Sequence, residues 1–403
     1  MVRKRTILAL VGLALVLVSG TSAGNAAGAQ AKQERPDPPK INAEAWALED
    51  TETGLYLAGK NPDKRLPIAS TTKIMVALIA FDRGVDLDEE VSVSDQAERF
   101  VGSVYSNVGL ISGERLSVRE LLQAALIPSG TDAVYALAEH LGGGGGKAGV
   151  ENFVDEMNHK ASEMGLKNTH FEDPAGLDSP EHYSSARDMA EIARAAMRYP
   201  EFRDIVETEE ATISTQDREI ELFTTNNLLY TYEPATGVKT GTSPEAGPSL
   251  IASAKEGDES YIAVLLDANG DQYRFSAAQK ALEFGFADYE REALISEGKV
   301  YEKVGLPYRR EELVGLVAAK DVPGLVGPGL EVERRTTTDE PPLEARAGEE
   351  LGTIEVLVDG KSVGSAPLVT EKGYEEASLW QKIRYWTSGA VQSVSGLVSG
   401  LFS

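Results

Sequence analysis

Pro67-Ile68-Ala69-Ser70-Thr71-Thr72-Lys73-Ile74-Met75 is the stretch on which the reading of this chain turns. Ser70 and Lys73 stand three residues apart, and Ile74, Leu78 and Phe81 follow at i, i+4 and i+7 with no Gly or Pro before Gly84. The spacing predicts a helix whose first turn carries a hydroxyl and an amine on one face. A helix start supplies positive potential and free N–H groups where an oxyanion forms, and burial lowers a lysine toward the range of a general base. Such a pair activates a serine without a histidine. Ser296-Glu297-Gly298-Lys299 has the same spacing, but in a polar, Gly-containing turn with no helix to align the two groups.

Outward from this stretch the chain alternates between the two periods of regular structure. Upstream, Ala45–Leu48 and Gly54–Ala58 read as a β-hairpin around Asp50–Thr53. Downstream, a helical pattern over Val118–Ile127 breaks at Pro128-Ser129-Gly130 and resumes over Thr131–Leu141, so a turn is wedged between two helices. Val150–Met164 and Ser185–Met197 are further amphipathic helices, while Gly237–Thr242, Ser249–Ala254 and Tyr261–Leu266 read as strands. Helices around an antiparallel sheet make an α+β domain over residues 41–290. From there to residue 375, short apolar runs such as Ile354–Val358, divided by Gly, Pro and Asp, predict a small all-β domain.

The second chemical element lies in one of those strands. Lys239-Thr240-Gly241-Thr242 offers a cation and hydroxyls to a carboxylate, a glycine where a substrate backbone approaches, and an N–H to complete an oxyanion hole. Ser-x-x-Lys followed by Lys-Thr-Gly, with a helix-turn-helix between, resembles the penicillin-recognising serine enzymes. The likeness extends to Leu121-Leu122-Gln123-Ala124-Ala125-Leu126-Ile127-Pro128-Ser129-Gly130-Thr131-Asp132-Ala133 and to Gly165-Leu166-Lys167-Asn168-Thr169. On these motifs residues 41–290 are similar to the low-molecular-mass D-alanyl-D-alanine carboxypeptidases.

The resemblance implies a β-lactamase/transpeptidase-like domain, with helices on both sides of an antiparallel sheet and a helical subdomain. It further implies Ser70 as nucleophile, Lys73 as base and Ser129 as proton relay. Thr131, Lys239, Thr240 and Thr242 would then bind substrate, with the N–H groups of Ser70 and Thr242 as oxyanion hole. The substrate implied is a peptidoglycan stem peptide ending in D-Ala-D-Ala, β-lactams acylate the same serine, and no metal or organic cofactor is needed. One position departs from the family. Its middle motif is Ser-x-Asn, whereas Ser129-Gly130-Thr131 ends in threonine and no Ser-x-Asn occurs in the chain. Tyr105-Ser106-Asn107 imitates a Tyr-x-Asn version of that motif, but the turn at Ser129 matches the family context better. Two rival readings remain open at this level. A β-lactamase shares fold and motifs, though no Glu-x-x-Leu-Asn stretch is present to activate a deacylating water; a wall-binding scaffold with decayed catalysis is the other.

The remaining observations bound these readings. Four histidines, His140, His159, His170 and His182, form no zinc spacing and are expected at the surface or partly buried. One Gly-x-Ser-x-Gly lies at Gly20–Gly24, within residues 1–31, where Arg3, Lys4 and Arg5 precede an apolar run and small residues in the manner of a cleaved secretory signal. Loss of that segment takes the formal charge of the 403-residue chain from −25 to −28, which disfavours nucleic acid as a partner. With no cysteine there is no disulfide or thiolate metal site. Residues 32–40 read as a linker. At the far end, residues 376–403 place Leu379, Ile383, Trp386, Ala390, Val394, Leu397 and Leu401 at steps of three and four beside Lys382 and Arg384. That pattern predicts an amphipathic helix lying on a membrane surface, and the resemblance, with the export signal, implies the extracytoplasmic face of a bacterial cell membrane.

Overall fold

A computed structural model describes residues 34–309 and 311–387. The predicted signal peptide, residues 1–31, and most of the predicted terminal helix therefore lie outside the described residues. In chain order the larger body contains β1 (Ala43–Asp50), β2 (Tyr56–Lys60), α1 (Lys73–Asp82), β3 (Glu90–Ser92), α2 (Asp95–Glu98), β4 (Arg115–Ser117), α3 (Val118–Leu126), α4 (Thr131–Leu141) and α5 (Lys147–Glu163). It continues with α6 (Ala186–Ala196), α7 (Pro200–Glu207), β5 (Glu210–Ser214), β6 (Glu219–Phe223), α8 (Leu228–Thr231), β7 (Ala235–Ser243), β8 (Gly247–Glu256), β9 (Glu259–Ala268) and α9 (Tyr273–Asp288).

Five of these strands form one antiparallel sheet in the order β2-β1-β9-β8-β7. Its side chains alternate between two cores. Ala45, Ala47, Ile262, Val264 and Leu266 pack with α1 and α6, whereas Trp46, Leu48, Tyr261, Ala263 and Leu265 pack with Ala278, Ala281 and Leu282 of α9. Period-two patterning in the central strands thus dictates helices on both faces. Because every central strand is covered twice, it reads as an unbroken apolar run. The fold class expected from the sequence is the one found.

The helical subdomain is built by local signals. Ser117 accepts from the Glu120 N–H at 3.2 Å while Glu120 Oε2 accepts from the Ser117 N–H at 2.8 Å, a reciprocal cap that starts α3. Pro128 cannot donate to α3 and ends it. The chain reverses through Ser129, at φ 68, and the Gly130 N–H returns to the Ala124 carbonyl at 2.8 Å. A Cβ at Gly130 would lie 2.8 Å from that same oxygen, so only glycine permits the turn.

A second body holds β10 (Glu290–Ile295), β11 (Val300–Gly305), β12 (Leu313–Ala318), β13 (Val322–Val326), β14 (Val332–Thr338), β15 (Glu350–Val358) and β16 (Lys361–Thr370). They form a five-stranded sheet, β11-β12-β16-β15-β14, and the pair β10-β13. Polar contacts join it to the larger body: Arg291 Nη2 meets Asp50 Oδ1 at 2.5 Å, and Lys361 Nζ donates to the Gly54 carbonyl at 2.7 Å. Gly54 has φ 65, and a Cβ there would come within 2.8 Å of Lys361 Nζ. Residues 379–387 are helical, and among the described residues no helix is long and apolar enough to cross a membrane.

Candidate active site

Ala69–Thr72 form a single 3-10 turn that runs directly into α1, and this turn delivers Ser70. Lys73 Nζ lies 2.9 Å from Ser70 Oγ. The same amine reaches the Ser129 carbonyl at 2.9 Å, Ser129 Oγ at 3.3 Å and Thr131 Oγ1 at 3.4 Å. The wedge between α3 and α4 therefore points at the turn that carries Ser70.

Burial dominates the electrostatics. Lys73 is 1% exposed, and loss of hydration pushes its amine down to about 7, against an opposing pull from Asp173 and Asp132. Those two carboxylates are occupied. Asp132 accepts the N–H groups of Val108, Leu110 and Ala133, and Asp173 accepts those of Ala175, Gly176 and Leu177. Lys73 is left with neutral acceptors and a pKa suited to moving a proton near neutral pH.

Strand β7 forms the opposite wall. Gly241 is where it meets the serine turn: a Cβ there would lie 2.9 Å from the Ile68 carbonyl and 3.2 Å from the Thr71 nitrogen. Lys239 is as buried as Lys73, and desolvation, then repulsion from Lys73 and Arg274, holds its amine well below the ordinary lysine range. Its amine donates to the Thr240 carbonyl at 3.1 Å. Thr240 Oγ1 pairs with Thr225 Oγ1 at 2.6 Å, and Arg274 Nη1 binds Thr242 Oγ1 at 2.7 Å and the Gly241 carbonyl at 3.1 Å. Two buried amines and the Arg274 guanidinium thus border a site whose neighbouring carboxylates, Asp132 and Asp173, are turned to backbone amides, which favours an anionic ligand.

All seven residues singled out in the sequence, Ser70, Lys73, Ser129, Thr131, Lys239, Thr240 and Thr242, belong to these two walls. The competing match is elsewhere. Ser296 and Lys299 lie in the β10–β11 connection, with Lys299 Nζ 5.6 Å from the Tyr301 ring rather than on the serine. Tyr105-Ser106-Asn107 runs alongside the site, since the Ser106 carbonyl accepts the Thr131 N–H at 2.8 Å, but the Asn107 amide turns back to the Tyr105 carbonyl.

One expectation is corrected. His182 is neither at the surface nor partly buried: it is 2% exposed and its Nε2 sits 2.8 Å from Thr72 Oγ1, under the serine turn. Spacing gave no sign of this, because the contact spans 110 residues. Arg274, on α9, was missed for the same reason. No motif marks it, and only a buried arginine facing a cation-rich wall reveals it.

Comparison with known proteins identifies the family. A family model described as D-alanyl-D-alanine carboxypeptidase matches residues 31–270, and one described as the C-terminal domain of penicillin-binding protein 5 matches residues 289–376. The Bacillus subtilis D-alanyl-D-alanine carboxypeptidase DacF is 33% identical over 366 residues, covering 87% of this chain and 91% of that relative. Penicillin binding protein 5 from Haemophilus influenzae superposes with a TM-score of 0.67 at 32% identity, over 84% of this chain and all of that one. A Streptomyces DD-transpeptidase gives 0.60 at 36% identity, over 62% of this chain.

Proposed function

Because the chain belongs to the D-alanyl-D-alanine carboxypeptidase family, we propose that it removes the terminal D-alanine from peptidoglycan stem pentapeptides through an acyl-enzyme on Ser70. The observation that carries this reading is the 2.9 Å contact between Ser70 Oγ and a buried Lys73 amine whose pKa is about 7. Lys239 and Thr240 hold the substrate's terminal carboxylate, and Thr131 contacts the peptide amide. Ser70 Oγ adds to the carbonyl of the penultimate D-alanine as Lys73 takes its proton. The oxyanion forms between the N–H groups of Ser70 and Thr242, with Arg274 bracing the Thr242 side chain. Ser129 Oγ passes the proton from Lys73 to the departing amine, the C–N bond breaks, and D-alanine leaves. Water then attacks the ester, Lys73 again taking the proton, and Ser70 is regenerated. A β-lactam enters by the same first step, its ring amide in place of the peptide.

Intact-mass measurement after penicillin treatment tests this assignment. The parent protein is expected to gain one acyl group and Ser70→Ala none; undiminished labelling of the variant refutes it. Incubation with a pentapeptide ending in D-Ala-D-Ala, followed by assay of free D-alanine, separates the enzyme from a catalytically silent scaffold.

The same reading places the protein outside the cytoplasm, with residues 1–31 removed on export and residues 376–403 lying on the membrane. The described part of that helix supports it: Trp380 is 80% and Trp386 67% exposed, beside exposed Leu379 and Ile383, while Tyr385 stacks edge-on against Tyr308 of the β-rich body. Trp46 is buried in the core, so quenching of tryptophan fluorescence by brominated lipid reports on the two helical rings. Unquenched emission in the presence of anionic vesicles sinks the membrane assignment.

A further inference from the structure

Ala69, immediately before the nucleophile, has φ 46, a left-handed conformation disfavoured for a residue with a side chain. One planar peptide joins its carbonyl to the Ser70 N–H. In a trans peptide these two bonds point in opposite directions, so whatever grips the Ala69 oxygen also aims the Ser70 N–H. Two groups grip it. Thr72 Oγ1 donates to it at 2.8 Å, and the Gly176 backbone packs so closely that a Cβ there would stand 1.8 Å from that oxygen.

The Thr72 proton is itself directed. His182 Nδ1 receives the Glu172 N–H at 3.2 Å, so the ring hydrogen is on Nε2, which faces Thr72 Oγ1 at 2.8 Å. Nε2–H therefore donates to the hydroxyl, whose own proton is left for Ala69. Asp173 Oδ2 is 3.5 Å from Nδ1, but the Glu172 N–H already fills that lone pair. The loop bearing His182 reaches the other oxyanion donor as well, because Asp178 accepts the hydroxyl of Ser243, next to Thr242.

We infer that His182 and Thr72 are positioning residues of the oxyanion hole. The chain from His182 Nε2–H through Thr72 Oγ1–H to the Ala69 carbonyl aims and polarises the Ser70 N–H at the oxygen of the substrate. Buried donors in series strengthen one another, and a donor fixed before the charge develops needs no reorganisation in the transition state. Neither residue touches substrate. The inference rests on Ser70 being the acylated residue, which the parent protein's intact mass tests before any variant is compared.

The experiment measures three quantities on each variant: the penicillin acylation rate constant, the non-covalent binding constant that precedes it, and the infrared carbonyl stretch of the acyl-enzyme made with carbonyl-13C penicillin. Thr72→Val is expected to slow acylation by about ten- to a hundredfold, short of losing a donor outright. The carbonyl band should move to higher wavenumber, with prior binding unchanged. Thr72→Ser keeps the hydroxyl and should recover both rate and band. His182→Phe should act in the same direction, His182→Gln should recover because its amide offers an N–H near the Nε2 position, and Thr72→Val with His182→Phe should be no slower than Thr72→Val alone. Phe153→Leu, a core substitution in α5, gives the reference for lost stability without a shifted band. If Thr72→Val does not fold, Thr72→Ala reads the same quantities. Variants that melt earlier yet acylate at the parental rate with an unshifted band overturn the inference, as does an additive double variant.

Discussion

The proton-accepting role proposed for Lys73 predicts the shape of the acylation pH profile. With its pKa at about 7, about half of the amine is neutral at neutral pH, whereas at the ordinary lysine value of 10.5 only about one molecule in three thousand would be. The second-order rate constant for acylation by a fluorescent penicillin, followed by stopped flow, should therefore fall about tenfold per pH unit below 7. Between the plateau and pH 5 the loss is about a hundredfold. A second, falling limb should come from Lys239, whose cation is needed for the carboxylate and whose amine burial also depresses. Lys239→Arg keeps a charge that does not titrate, so it should abolish the falling limb and leave the rising one. A profile flat from pH 5 to 9, or a rise that continues toward pH 10, refutes the reasoning, since either means that no buried lysine near 7 limits the reaction.

Three other outcomes follow from the same geometry. Gly241→Ala drives a methyl toward the Ile68 carbonyl and Thr71 nitrogen, so penicillin labelling should drop by about a hundredfold while circular dichroism stays native; parental labelling would show that β7 need not approach the serine turn so closely. Thr131→Asn supplies an amide that both donates and accepts where the hydroxyl stands 3.4 Å from Lys73. D-alanine release from a pentapeptide should rise about fivefold, the worth of one hydrogen bond of about 1 kcal/mol, and a fall in kcat/KM argues against it. Glu49 is buried with Oε2 unpartnered, and burial followed by repulsion from Glu191 pushes its carboxyl up from 4.5 to about 8. The folded protein keeps a proton that the unfolded chain releases, so this group's contribution is intact below pH 4.5 and is lost as pH rises through 8, at about 1.4 kcal/mol per unit. Glu49→Gln removes that slope, and its melting temperature should exceed the parent's increasingly from pH 6 to 8; parallel curves would contradict it.

Local order was legible in the sequence wherever one segment's own chemistry decided it. Apolar spacing after Ser70 gave α1, Pro128 and Gly130 gave the turn between α3 and α4, and continuous apolar runs gave the central strands. Short, exposed strands such as β5 and β6, where only Ile213 and Leu222 are buried, carry too little patterning to be read in advance. Helix α5 begins at Lys147, three residues ahead of the predicted start at Val150, since the glycines before it offer no side-chain cap to read.

What the sequence by itself determined is the set of candidate groups: a serine and a lysine one helical turn apart, a second serine at a proline-broken turn, and a lysine on a strand. Those follow from covalent spacing and from torsional limits at Pro and Gly, which act over a few residues. Only the tertiary structure decided how those groups behave. The depressed lysine arises because desolvation is a property of everything packed around the amine, not of its neighbours in the chain. Likewise His182 reaches Thr72 across 110 residues, and Arg274 reaches Thr242 across 32, through a fold that no local pattern encodes.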